Sequence, residues 1–139
     1  MNIHDLLKSH PTAEQILDWI CHVVAMIHIG LATSILIGGQ RRFSNPSLHP
    51  LSDLVDGRVW IWGSLIFISG ALMISPFRVA AMTGLWLGMM SHFFWMACFA
   101  VAITHAPNAA ATTIPVYGGL ALICTVLLTA KVLNLTMKL

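Results

Sequence analysis

The feature that most constrains this chain is the distribution of its charged residues. Between Arg58 and Lys131 the only Asp, Glu, Lys or Arg is Arg78, and residues 79–130 hold none in 52 positions. A helix that crosses the hydrocarbon of a bilayer needs about 20 predominantly apolar residues. A water-soluble domain, in contrast, carries charged side chains over its surface. We therefore predict an integral membrane protein, with most of its residues inside the membrane.

The composition narrows the function classes. The chain has 139 residues, is 58% hydrophobic and has a mean hydropathy of +0.83, which leaves room for one membrane domain and for no soluble catalytic head. The formal charge of +2 is too small and too scattered for a nucleic-acid surface. The sequence contains no G-x-S-x-G, H-E-x-x-H or glycine-rich phosphate loop, and no acid in a predicted span core. We expect no enzyme activity, no metal site and a lipid bilayer as the main partner.

Four apolar segments predict an all-α fold, an integral membrane four-helix bundle in a single domain. Thr12 and Gln15 have the spacing of a capping box, which marks the start of the first helix. An even number of crossings places both termini on the same side of the membrane. The predicted spans are 15–38, 59–75, 79–104 and 116–135, with an interfacial amphipathic segment at 1–11 and a polar loop at 39–57.

Side chains near the span ends predict the orientation and the anchors. Trp60 and Trp62 begin the second span, where tryptophan is typical of the membrane–water interface. Arg41 and Arg42 are predicted to lie at the interface that follows the first span. The side that holds the termini carries four cations against three on the other side, so the positive-inside rule favours cytoplasmic termini.

Two ladders of small residues predict helix contacts. Positions four apart share one stripe of a helix, and membrane helices pack closely where small residues occur. The ladders therefore predict seams inside the bundle, and any surplus seam would support a homo-oligomer or contact with a membrane partner protein. The first span contributes Gly30, Ser34 and Gly38, and the third contributes Gly84 and Gly88.

Two histidines are predicted at the same depth. His28 lies 13 residues after Gln15 and His92 lies 13 residues after Val79, in spans that run in the same direction. Ionisable residues inside a membrane are costly and often functional. Three uses remain open: an interhelical hydrogen bond with no cofactor, proton or substrate handling, or axial ligation of a haem iron.

The polar loop and the second span carry a resemblance. Residues 42–47 read RFSNPS, and Trp60 and Trp62 follow. This pattern and the four-span topology resemble small membrane proteins of tailed bacteriophages. The resemblance implies a phage or prophage product in the bacterial cytoplasmic (inner) membrane, of a kind that includes holin-like pore formers, although this chain lacks their strongly charged C-terminal tail.

These observations lead to one main expectation and two alternatives. The main expectation is a non-enzymatic, phage-type membrane protein that self-associates, in the manner of a holin-like pore former. The first alternative is a small haem- or quinone-linked redox subunit that uses His28 and His92. The second is an accessory subunit of a larger membrane complex or a superinfection-exclusion factor.

Overall fold

The computed structural model describes residues 12–44, 48–105 and 113–136, and its regular elements there are all helical. The predicted interfacial segment 1–11 lies outside the described residues. The first and last residues of each predicted span lie within three residues of the ends of an observed helix. The elements are α1 (Ala13–Gly38), a 3-10 segment (Gly39–Ser44), α2 (His49–Asp53), α3 (Trp60–Ile74), α4 (Arg78–His105) and α5 (Thr113–Thr136).

Among the described residues, three helical segments are long and apolar enough to cross a membrane. They are Ala13–Arg41, Arg78–Thr104 and Ile114–Leu133. The fourth apolar helix, α3, has 15 residues. At 1.5 Å per residue it is about 22 Å long, which is shorter than a hydrocarbon core of about 30 Å.

The start of α1 is set by the predicted capping box. The backbone N–H of Gln15 donates to the Thr12 hydroxyl (3.3 Å), and the Thr12 N–H donates to the Gln15 side-chain oxygen (2.8 Å). These two bonds satisfy donors that the first turn of a helix leaves without partners. The helix ends where Gly39 adopts a φ of 50°, a conformation that favours glycine.

Neighbouring helices run in opposite directions around the bundle. α1 packs along α3, α3 along α4 and α4 along α5, whereas α1 and α5 make few contacts. The start of α1, the end of α3, the start of α4 and the end of α5 therefore meet at one end, which we call the Lys131 end. The opposite end, where α2 covers the start of α3, we call the Trp62 end.

Glycines bring the backbones of adjacent helices close together. A Cβ added at Gly70 would lie 3.0 Å from the Ala25 carbonyl oxygen of α1. A Cβ at Gly84 would lie 2.7 Å from both the Ser69 carbonyl oxygen and the Met73 nitrogen of α3. A Cβ at Gly84 would force the backbones apart and one at Gly70 would make a tight contact, so glycine at these two positions allows the observed spacing of α1, α3 and α4.

The first small-residue ladder does not lie inside the bundle, so the prediction that the bundle buries it is wrong. Gly30 is exposed and a Cβ there would meet nothing within 4 Å, while Ser34 and Gly38 are half-buried. A spacing of four defines a stripe but not the direction in which the stripe faces. The stripe that α1 buries is about half a turn away, because it includes His28, two residues before Gly30. It consists of Cys21, Val24, Ala25, His28, Ala32 and Ile35.

Trp62 is not an interfacial anchor, which corrects a second prediction. It is buried, and its indole N–H donates to the Leu51 carbonyl oxygen at 2.8 Å. Trp60 is 58% exposed, as an anchor would be. The two tryptophans are two positions apart in the sequence, so they face opposite sides of α3. Arg41 is exposed at this end, and the side chain of Arg42 lies outside the described part of the chain.

Threonine hydroxyls on the long helices are satisfied within their own helix. All five threonines whose side chains are described inside α1, α4 and α5 donate to a carbonyl three or four residues earlier. An exposed hydroxyl in hydrocarbon has no water to bond, so this pattern is the one that lipid requires. The five are Thr33, Thr83, Thr104, Thr125 and Thr129.

Candidate functional site: a buried histidine pair and a charged cavity

The two predicted histidines meet in the middle of the bundle. His28 of α1 and His92 of α4 are each 1% exposed, and their Nε2 atoms lie 3.0 Å apart. The ring centroids are 4.7 Å apart with an interplanar angle of 62°. The pair separates two apolar clusters, one that includes Cys21 and Leu127 at the Lys131 end and one that includes Trp62 and Phe99 at the Trp62 end.

The hydrogen bonds of the pair define the tautomers of two neutral rings. His28 Nδ1 lies 2.8 Å from the Val24 carbonyl oxygen, which can only accept, so His28 Nδ1 carries the hydrogen. His28 Nε2 is then a bare acceptor, and His92 Nε2 must donate to it. His92 Nδ1 is left as a lone pair, and this buried atom has no partner among the described residues.

Small residues on α3 and α4 make room for the pair. A Cβ at Gly88 would lie 2.8 Å from His28 Nε2 and 3.0 Å from the Ser69 hydroxyl. The Ser69 hydroxyl donates to the Gly84 carbonyl oxygen at 2.9 Å and holds α3 against α4 at this level. The glycine ladder of α4 is therefore part of the histidine site.

The histidine pair as it stands does not fit a bis-histidine haem. A metal ion binds an imidazole nitrogen at about 2.0–2.1 Å, so two axial ligands on opposite faces have nitrogens about 4 Å apart. The two Nε2 atoms here are in direct contact at 3.0 Å. No group of three or more His, Cys, Asp or Glu side chains in the described ranges is placed to hold a metal ion.

Aromatic side chains close the site towards the Trp62 end. The Tyr117 ring lies 5.6 Å from His92, 5.0 Å from Trp95 and 5.3 Å from Phe99, measured between ring centroids. Trp95 also contacts Trp62 edge-to-face at 6.2 Å. The indole N–H of Trp95 is buried and, within the described chain, has no acceptor. The cluster therefore packs aromatic rings between the histidine pair and that end.

A charged cavity of about 400 Å³ lies at the Lys131 end. The Lys131 ammonium contacts the Asp18 carboxylate at 2.6 Å, with the Lys131 side chain 13% exposed and that of Asp18 49% exposed. The Arg78 guanidinium donates from Nη2 to the Lys131 carbonyl oxygen at 2.8 Å. The wall also contains Glu14, Leu17, Cys21, His22, Met73, Ile74, Ser75, Pro76 and Ala81.

Sequence reasoning did not find this cavity. Asp18, Arg78 and Lys131 all lie near predicted span ends on the side of the termini, and that shared position was the available signal. It could not show that three charges from three different helices share one cavity, because the sequence fixes the depth of a residue but not the rotation of its helix.

The fold and the site define an all-helical protein with at least three helices able to cross a membrane. No protein family, no curated protein and no solved structure matches this chain.

Proposed function

We propose that this chain is a four-span membrane protein that acts by self-association in a bacterial cytoplasmic membrane, with both termini in the cytoplasm. The observation that carries the proposal is the outward direction of the α1 ladder. Gly30 lies on an exposed face with open space around it. Close contact between small residues is a main source of helix association in lipid, so a second copy is the occupant that we assign to this face.

The placement of α3 as the fourth span is supported by its neighbours. α3 packs between α1 and α4, and both of these are long enough to cross the membrane. α2 packs against the Trp62 face at the start of α3 and buries Leu51 there, so protein covers one side of that end of the short helix. Backbone outside a regular span is tolerated at membrane depth where protein covers it.

The histidine pair supports a structural role over catalysis. Each ring bonds the other, and His28 also bonds its own helix. A direct bond between α1 and α4 joins two helices that are diagonal neighbours in the bundle. Interhelical hydrogen bonds of this kind contribute about 0.6 kcal/mol on average in membrane proteins.

The oligomer is tested by the mass of the purified protein in detergent, measured by light scattering. We expect an oligomer for the wild type and a shift of at least tenfold in its dissociation constant for Gly30→Leu. The matched control is Gly119→Leu on α5, because Gly119 also has open space around it but belongs to no ladder. A monomeric wild type, or equal effects of the two substitutions, would contradict self-association through α1.

The holin-like form of the proposal rests on the phage resemblance and needs a test of its own. Inducible expression in bacteria, with the membrane potential followed by a voltage-sensitive dye, is that test. We expect the wild type to collapse the potential once the oligomer has formed, and Gly30→Leu to preserve it at equal protein levels. If the wild type is oligomeric but the membrane potential is fully retained, the result would support self-association and contradict pore formation.

A further inference from the structure

Two neighbouring cavities at the Lys131 end differ in chemistry. The charged cavity is lined by Glu14, Asp18, Arg78 and Lys131. A second cavity of about 370 Å³ is almost entirely apolar and lies between α4 and α5; we call it the apolar groove. It begins one residue after Arg78 on α4 and one helical turn before Lys131 on α5, and is lined by Val79, Met82, Thr83, Trp86 and Leu128.

We propose that these two cavities together bind one phospholipid whose headgroup carries both a phosphate and an ammonium group. The phosphate would bind the Arg78 guanidinium, the ammonium would face the acidic side chains of α1, and one acyl chain would lie in the apolar groove. This inference depends on the membrane location of the helices but not on self-association.

The chemistry of Arg78 supports the phosphate position. A guanidinium has five N–H donors in a planar fork, and the bond described for Arg78, to the Lys131 carbonyl oxygen, uses one of them. Arginine suits phosphate because two parallel N–H groups can bond two oxygens. The Arg78 side chain is only partly buried, at the level where the membrane helices begin, which is where lipid phosphates lie.

The balance of charge selects the zwitterionic headgroup. Among the described residues that line the cavity, the two carboxylates of Glu14 and Asp18 balance the two cations of Arg78 and Lys131, so these formal charges sum to zero. An anionic headgroup would add an uncompensated negative charge beside the carboxylates, whereas an ammonium group on the same lipid would offset it. Phosphatidylethanolamine therefore fits better than phosphatidylglycerol.

The shape of the groove supports a lipid rather than a free solute. From Val79 to Trp86 the groove follows eight residues, which is a rise of about 10 Å along α4. Trp86 is 50% exposed and Val79 is 78% exposed, so both offer apolar surface to a chain beside them. A soluble headgroup without acyl chains would leave this surface unused.

Native mass spectrometry of the purified full chain tests the proposal. The protein is titrated with phosphatidylethanolamine or phosphatidylglycerol of identical acyl chains, and with soluble glycerophosphoethanolamine. We expect one phosphatidylethanolamine to bind at least tenfold more tightly than phosphatidylglycerol, and the soluble headgroup not to compete at the same concentration. Equal or tighter binding of phosphatidylglycerol would overturn the assignment, and so would full competition by the soluble compound.

Variants separate the headgroup from the chain. Arg78→Gln should weaken phosphatidylethanolamine binding at least tenfold, whereas Arg58→Gln, an exposed arginine at the opposite end, should not. Asp18→Asn should raise the relative affinity for phosphatidylglycerol. Trp86→Ala removes groove surface without touching the core, so it decides the question if Arg78→Gln does not fold. Wild-type binding by both Arg78→Gln and Trp86→Ala would refute the site.

Discussion

A close approach between two helix backbones gives the sharpest prediction. Gly84 lies where α4 meets α3, and a Cβ there would be 2.7 Å from two backbone atoms, the Ser69 oxygen and the Met73 nitrogen. Backbone atoms cannot rotate away as a side chain can. Gly84→Ala must therefore push the helices apart by about 0.7 Å, from 2.7 Å to an ordinary contact of 3.4 Å.

The expected cost follows from three contributions. Overpacking of a well-packed site costs about 1–3 kcal/mol. The same movement stretches the 2.9 Å bond from the Ser69 hydroxyl to the Gly84 carbonyl, and an interhelical bond in a membrane contributes about 0.6 kcal/mol. The higher helix propensity of alanine offsets about 0.8–1.0 kcal/mol of this loss of stability. The free energy of unfolding should fall by about 2 kcal/mol, roughly a 30-fold change in the folding equilibrium.

The assay is reversible unfolding in mixed detergent micelles by added dodecyl sulfate, followed by far-ultraviolet circular dichroism. The control is Gly119→Ala, the same substitution within another long helix, where a Cβ meets nothing within 4 Å and which lies outside the α1 face assigned to self-association. We expect Gly119→Ala to leave stability unchanged or to raise it by up to about 1 kcal/mol. A Gly84→Ala protein as stable as the wild type, or a loss of stability shared equally by both variants, would refute the reasoning.

Three further substitutions test other contacts. Trp62→Phe removes the 2.8 Å bond to the Leu51 carbonyl and should cost about 1 kcal/mol, with faster hydrogen exchange in α2 while α5 is unaffected. Lys131→Met removes the partly exposed ion pair between α5 and α1 and should cost at most about 1 kcal/mol; a double-mutant cycle with Asp18→Asn checks it, since additive effects would mean that the pair does not interact. Gly88→Ala should displace the buried imidazole of α1, and unchanged ¹⁵N chemical shifts of both buried histidines would contradict this.

Properties that depend on distance along a helix could be predicted from the sequence. The capping box at Thr12 and Gln15 marked the start of α1, because the motif is local and complete within one turn. Counting residues placed His28 and His92 at the same depth, and the structure brings their Nε2 atoms to 3.0 Å. Both results need only the helical rise and the direction of each span.

Properties that depend on helix rotation could not be predicted in the same way. The ladder at Gly30 and the ladder at Gly84 have the same spacing in the sequence, yet one faces outwards and the other fixes a helix contact. Trp60 and Trp62 both begin a span, and only the first is exposed. Choosing between such equivalent stripes requires the positions of the partner helices, because neither ladder carries a charge or a long polar run that would reveal its direction.

In the bundle core, the residues predicted to pack helices and the residues predicted to form a site are in direct contact. Gly88 was predicted as a packing residue and His28 as a possible site residue, but a Cβ at position 88 would lie 2.8 Å from His28 Nε2. The absence of that Cβ is therefore what allows α1 and α4 to share a hydrogen bond across the bundle. Because the bond uses the only free nitrogen of His28, any ligand of this ring must first break the contact with His92. In the described chain this bond therefore links α1 to α4, and the lipid that we propose would bind instead in the charged cavity at the Lys131 end.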